Sequence, residues 1–381
     1  MTRQRLCSLI EIEGIKENVK LCILFGTRPE IIKMSPLIRV CQELGQDYFA
    51  LHTCQHASFE MDEVFFRDLE LPTPRYRLEE VGRLQSRSTA TLLAAMMTGI
   101  EAVLADERPD VVLVPSDPHT TLAGAVIAGH MQIKVGHVES GLRSYDWSMP
   151  EELNRIMTDH ISTYLFAPTE AAAAILRREN IPESRIFVTG NTVVDAVKRH
   201  LPIAMKASTV LARLSLTPQR YFLCTTHRAE NLNDPIRLGG ILSGISRVQE
   251  HFGLPVLVPI HPSLERALRR HSLNLPPGVQ SCEPAGYLDF LVLQASAAMV
   301  LTDSGGLQEE TAVLAVPCVT LRDNTERPES VEAGSNILAG TDPERILRCS
   351  VTMSERRRDW INPFGDGHAA DRIISIVRGG A

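Results

Sequence analysis

The polar signatures of this chain fall, one after another, at the ends of short apolar runs. LCILF (21–25) opens into Gly26-Thr27-Arg28-Pro29-Glu30, VVLVP (111–115) into Ser116-Asp117, and IKVG (133–136) into His137-Val138-Glu139-Ser140-Gly141. YFLCTT (221–226) ends at His227-Arg228, LPVLVPI (254–260) at His261-Pro262, and AMVLT (298–302) at Asp303-Ser304-Gly305-Gly306. Continuous apolar runs are the signature of parallel strands buried on both faces. Open sheets of such strands bind ligands just outside their carboxyl ends. The arrangement therefore confines the chain to an α/β architecture and makes it an enzyme candidate.

At 381 residues the chain is long for one core and comfortable for two. Its first half alternates strands, further ones lying near 48–54, 163–167 and 185–189, with helical patterns near 30–44, 87–105 and 150–160. The pattern lapses from 197 to 219, and a second series adds strands near 279–282 and 316–321. This predicts two Rossmann-like, doubly wound domains, residues 1–197 and 198–364, with a C-terminal helix in 365–381 packing back on the first. Strand ends facing each other leave a cleft between the domains, the expected active site.

A net charge of −7 argues against an extended nucleic-acid or anionic-membrane surface. The eight cysteines lack metal or redox spacing and read as reduced thiols. No run approaches the roughly 18 consecutive apolar residues of a membrane span, and the first twenty residues lack a signal-peptide pattern, so a cytoplasmic location is expected. No GxGxxG or GxxxxGK[ST] follows a predicted strand, and the histidines lack metal-site spacing. Neither a nicotinamide cofactor nor a metal is expected.

Two strand ends suit an anion. At Gly26–Glu30 glycine allows close backbone approach, a helix start favours negative charge, and Arg28 and Lys33 add cations. An ordinary βα turn fits equally. At Asp303–Glu310 the N–H groups of Ser304, Gly305 and Gly306 open a helix, and Glu310 stands one turn on, where a carboxylate suits a ribose diol. The alternative is a capped helix with an acidic first turn. Asp117, Glu139 and the pair Glu151-Glu152 form an acidic set suited to general acid–base catalysis, although a single such Asp is ordinarily a cap. His227 either transfers a proton or hydrogen-bonds the sheet terminus, while His137, His261 and His56 are weaker candidates. The run from Arg322 to Glu329 reads as a solvated loop or as a clamp on sugar or phosphate.

Taken in order, GTRPEIIKMSPL, CQHASFEMDEVF, HVESGLRS, MPEELNR, FAPTE, VTGNTVVDA, THRAEN, DSGGLQEE and RDNTERPE resemble the non-hydrolysing UDP-N-acetylglucosamine 2-epimerase family. The resemblance implies a GT-B fold, two Rossmann-like domains around a nucleotide-sugar cleft, and a homodimer. It implies catalytic roles for Asp117, Glu139, Glu151 and His227. Arg28 and Lys33 would face the phosphate or sugar, Ser304, Gly305 and Gly306 the diphosphate, Glu310 the ribose, and Phe290 the uracil. Arg327 and His261 would complete the cleft wall, and Gln55 and His56 would lie near a second, activating nucleotide sugar.

The implied chemistry is physically sensible. The sugar's C2 proton adjoins no carbonyl, so expelling UDP from C1 is the route that makes it labile. Three positions depart from the family's pattern. Ser116-Asp117-Pro118 replaces Gly-Asp-Thr, Ala229 replaces an arginine, and His261-Pro262-Ser263 replaces His-x-Asn-Pro. The rival readings are a 2-epimerase of a UDP-diacetamido-uronic acid, a hydrolysing epimerase, a GT-B glycosyltransferase and a non-catalytic nucleotide-sugar sensor.

Overall fold

The computed structural model describes residues 19–55, 65–84 and 88–379. The apolar runs of the first half form β1 (Leu21–Phe25), β2 (Tyr48–His52), β4 (Val111–Pro115), β5 (Lys134–Val138), β6 (Tyr164–Ala167) and β7 (Ile186–Val188), joined by a short β3 (Tyr76–Arg77). They make one parallel sheet of order β3-β2-β1-β4-β5-β6-β7. The second half gives β8 (Phe222–Thr225), β9 (Val256–Pro259), β10 (Val279–Cys282), β11 (Met299–Thr302), β12 (Cys318–Thr320) and β13 (Asn336–Leu338). Their parallel sheet runs β10-β9-β8-β11-β12-β13. Strand order reverses between β1 and β4 in one sheet and between β8 and β11 in the other. These are the crevices where a doubly wound sheet binds ligands. The architecture is the two-domain Rossmann-like GT-B fold.

Burial explains the unbroken apolar runs. Every residue of β1 is fully buried, because helices cover both faces of the sheet. Each such side chain stabilises the fold by about 1.5–3 kcal/mol relative to exposure. The edge strands β3 and β13 are not marked in the sequence: Tyr76–Arg77 is too short to show a pattern, and Asn336–Leu338 opens on a polar side chain.

The segment from 197 onward, which reads as a lapse, is helical as far as Ala207. It belongs to a helix, Thr192–Ala207, capped by the Asn191 side chain and continuing through Pro202. This helix packs on Arg28–Leu44 of the first half and on Tyr287–Ala295 and Gly305–Val313 of the second. The closing helix Ala369–Val377 lies on Arg28–Leu44 and Thr192–Ala207, and the Ala370 N–H donates to Asp195 Oδ1 at 2.9 Å. One apolar cluster, including Ile23, Val197, Tyr221, Leu291 and Ile373, runs through both halves.

The helix Thr89–Glu107 has the length and apolar composition of a membrane span, which inspection of consecutive residues did not anticipate. It buries Met96, Ile100 and Leu104 in the first domain's core and lies against the helix His119–His130.

Candidate active site

At the end of β1 the chain must pass close to two neighbours. A Cβ on Gly26 would stand 2.1 Å from Thr53 Oγ1 and 2.2 Å from Thr120 Oγ1, so only glycine fits. The Gly26 N–H donates to Glu30 Oε2 at 2.9 Å, folding the turn onto its own helix. Burial pushes the Glu30 carboxyl up to about 8, against the opposing hydrogen bonds from Gly26 and Thr27. The Arg28 guanidinium lies 6.0 Å from the centre of the Phe65 ring. Lys33, one turn further, is buried; its Nζ donates to Ser116 Oγ at 3.0 Å and pairs with Glu139. Burial would lower the Lys33 ammonium, but Glu139 and Glu309 more than offset it and raise it.

The turns after β4 and β5 are strained. Ser116 (φ 56°) and Glu139 (φ 71°) occupy the left-handed region, a geometry costing about 1–3 kcal/mol per residue. The Glu139 carboxylate is almost fully buried and gathers partners from both domains. One oxygen takes Lys33 and the Ser116 hydroxyl (3.0 Å), and the other takes Arg327 Nη2. Arg327 also pairs with Glu309 at 3.0 Å and Glu326 at 3.2 Å. Burial raises the Glu309 carboxyl to about 7 although Arg327 opposes it.

Asp117 keeps about a quarter of its side chain exposed, 25%, and pairs with the buried Arg155. Desolvation would raise its carboxyl, but Arg155, then Lys33 and Arg327, hold it below the usual value. Asp117 is therefore ionised. Pro118 sits at the N-cap of the helix His119–His130, where its missing N–H breaks no intrahelical bond. The two adjacent glutamates part company. Glu152 is fully buried, accepting the N–H groups of Ser144 (3.0 Å) and Tyr145 (2.9 Å) and pairing with Arg155 at 2.6 Å. Glu151 is half-buried and makes no hydrogen bond or ion pair to the described residues, which leaves it available to a ligand.

From the second domain, His227 donates its backbone N–H to Asp303 Oδ1 at 3.0 Å, and its ring Nδ1 lies 3.2 Å from the same oxygen. Burial would raise the Asp303 carboxyl, yet His227, Thr226 and Asn231 hold it well below the usual range. Ser304 caps the helix Gly305–Val313, whose start carries Gly305 and Gly306. A Cβ on Gly305 would stand 2.4 Å from Glu326 Oε1, whereas Gly306 faces open space. Glu310 accepts from Gln294 Nε2 at 2.7 Å, and burial raises its carboxyl. Phe290 is half-buried against the shared core.

Two expectations find their residues otherwise engaged. His261 stands exposed and caps the helix Pro262–His271, its Nδ1 accepting the Ser263 N–H at 3.2 Å. Gln55 is buried, its Oε1 accepting the Thr120 N–H (3.0 Å) and hydroxyl (2.9 Å). His56 lies outside the described residues. The sequence pointed to Ser116, Asp303, Glu309 and Glu326 only as members of their motifs, and to Arg155 not at all. The spacing of Glu151, Glu152 and Arg155 in MPEELNR, one helical turn, was the available signal for Arg155.

The cleft as a whole sets carboxylates among cations and helix-start N–H groups. It suits a phosphorylated ligand undergoing proton transfer.

Comparison with known proteins agrees with this geometry. The sequence profile of the UDP-N-acetylglucosamine 2-epimerase family matches residues 40–378. The chain is 47% identical over 365 residues to the UDP-N-acetylglucosamine 2-epimerase of Methanocaldococcus jannaschii, covering 94% of this chain and 99% of that one. It is 35% identical to a UDP-2,3-diacetamido-2,3-dideoxy-D-glucuronate 2-epimerase of Pseudomonas aeruginosa, covering 94% and 99%. Its structure matches the M. jannaschii UDP-GlcNAc 2-epimerase solved in complex with UDP-GlcNAc and UDP, at a TM-score of 0.89, covering 95% and 100%. It matches the Neisseria meningitidis UDP-GlcNAc 2-epimerase bound to UDP-GlcNAc at 0.86 and 32% identity, covering 94% and 99%.

Proposed function

The chain belongs to the UDP-N-acetylglucosamine 2-epimerase family, and from that premise we propose that it interconverts UDP-GlcNAc and UDP-ManNAc by inversion at C2, without net hydrolysis. The observation that carries the reading is the cluster at the strand ends. Glu139 is held by Lys33 from one domain and Arg327 from the other, with the ionised Asp117 beside them.

The reaction is an elimination followed by re-addition. The C1–O bond to UDP breaks as the C2 proton passes to a carboxylate, giving a glycal and UDP. UDP then returns to C1 while a proton is delivered to the opposite face of C2. Arg28, Lys33, Arg327 and the N–H groups of Ser304, Gly305 and Gly306 would take up the charge of the departing diphosphate. Asp117, already ionised and partly exposed, is the base of this scheme. Glu139 joins the proton transfers once the diphosphate draws its cations away, and Glu151 stands ready, its side chain without a partner among the described residues. His227, oriented by Asp303, would donate to the leaving phosphate. Glu310 and Phe290 would hold the nucleoside.

A modified sugar is less well supported. Two relatives named UDP-N-acetylglucosamine 2-epimerase are 47% and 46% identical, against 35% for the diacetamido-glucuronate enzyme. A second copy of the chain is the proposed partner, supported by the helix Thr89–Glu107, on which the apolar Leu92, Leu93, Ala95 and Met97 stay partly exposed. No disulfide joins the seven described cysteines, which supports a cytoplasmic setting, and UDP-ManNAc formed there would supply surface-polysaccharide synthesis.

A proton NMR time course with UDP-GlcNAc in D2O tests the reading. UDP-ManNAc carrying deuterium at C2 is the expected product, whereas accumulation of free ManNAc and UDP would sink the non-hydrolysing scheme.

A further inference from the structure

His137 takes no part in the chemistry above, yet it is fully buried between the two turns that carry Asp117 and Glu139. Its Nε2 lies 2.7 Å from the Ser116 carbonyl oxygen and its Nδ1 2.7 Å from Asp159 Oδ1. A carbonyl can only accept. Asp159 also faces the buried Arg143 guanidinium at 2.8 Å, and as the carboxylate of that ion pair it too only accepts. An imidazole facing two acceptors carries a proton on each nitrogen.

The other Asp159 oxygen accepts the Gly141 N–H at 3.2 Å and pairs with Arg143 at 2.8 Å. One buried His–Asp pair is thus tied at both ends to the turns that hold the strained residues Ser116 and Glu139. At one end stands Ser116 (φ 56°), immediately before Asp117. At the other stands Gly141 (φ 81°), two residues after Glu139 (φ 71°). Such geometry persists only where the surroundings over-determine it.

We infer that His137 is a positioning residue, a doubly protonated imidazolium locked by Asp159, which fixes the spacing of the Asp117 and Glu139 turns. The inference rests on the reading of those two carboxylates as reacting groups.

Two measurements test it. In protein labelled with 15N at histidine rings, both His137 nitrogens should carry protons at neutral pH. A ring with one unprotonated nitrogen overturns the imidazolium assignment, whatever any variant does. Asp159→Asn keeps the shape beside the ring but removes the charge that stabilises its second proton. It should lower kcat about tenfold to a hundredfold, the scale of a small misplacement of reacting groups, with KM for UDP-GlcNAc within about twofold. His137→Gln, which retains one donor toward Ser116, should show the same split. A lowered melting temperature with unchanged kcat per folded molecule would reduce the pair to a structural role and overturn the proposal. Full activity in Asp117→Asn would instead defeat the reading of the site, leaving the NMR result standing.

Discussion

The Glu139 carboxylate holds the same two cations, Lys33 and Arg327, on which a diphosphate would draw. Removing its charge should therefore act in opposite directions on binding and on turnover. Glu139→Gln is expected to lower epimerisation at least about a hundredfold while tightening UDP binding severalfold, because two buried cations lose the one carboxylate they share. Calorimetry with UDP beside steady-state kinetics checks this, and weaker UDP binding would contradict it. Glu30 gives a second prediction. Its folded carboxyl titrates near 8 against an ordinary 4.5, so the folded state binds the extra proton between those values. That contribution is fully present below the lower value and is lost as pH rises through the higher one. Thermal melting across about pH 5 to 9 should show Glu30→Gln gaining on the parent as pH rises. The residue scale is also where the sequence was hardest to read. The strand-end residues were visible from their apolar prefixes, but their pairings were not. Lys33 meets Ser116 across 83 positions and Glu139 meets Arg327 across 188, and no local spacing encodes such contacts.

At the scale of elements, both sheets were legible because burial on two faces forces unbroken apolar runs. What escaped was short or half-committed. β3 is too brief to carry a period, and β13 opens on the polar Asn336. The helix Thr192–Ala207 hides behind an internal proline and a mixed surface, since it packs against both halves. The strand-to-helix turns are where geometry is most demanding. Gly141 has φ 81°, and an added Cβ would lie 2.4 Å from the Ala172 carbonyl oxygen, a backbone atom that cannot swing aside. Gly141→Ala should destabilise the protein by about 2–4 kcal/mol, combining left-handed strain with that clash. It should also depress kcat through the neighbouring Glu139. Chemical denaturation and kinetics on the same preparation check both, and a loss under about 0.5 kcal/mol would remove the packing argument.

Across the whole molecule, the halves meet through buried polar contacts as well as the shared core. Arg327 reaches Glu139, Asn191 donates to Glu309 at 2.9 Å, and Thr169 pairs with Glu329. The closing helix Ala369–Val377 completes the first half although it comes last in the chain, burying Ile373, Ile374 and Val377 in the shared cluster. A chain ending at Gly365 should melt at a lower temperature, less cooperatively, and bind an apolar dye. An unchanged melt would show that the last helix is dispensable. The same crossing governs how the protein is made. Translation proceeds from the amino end, so β1 and the helix Arg28–Leu44 leave the ribosome long before their final covering does. The first-synthesised domain stays unfinished, an apolar face open, until the helix Ala369–Val377 has left the ribosome as well. A nascent chain stalled part-way would be a client for chaperones rather than half an enzyme.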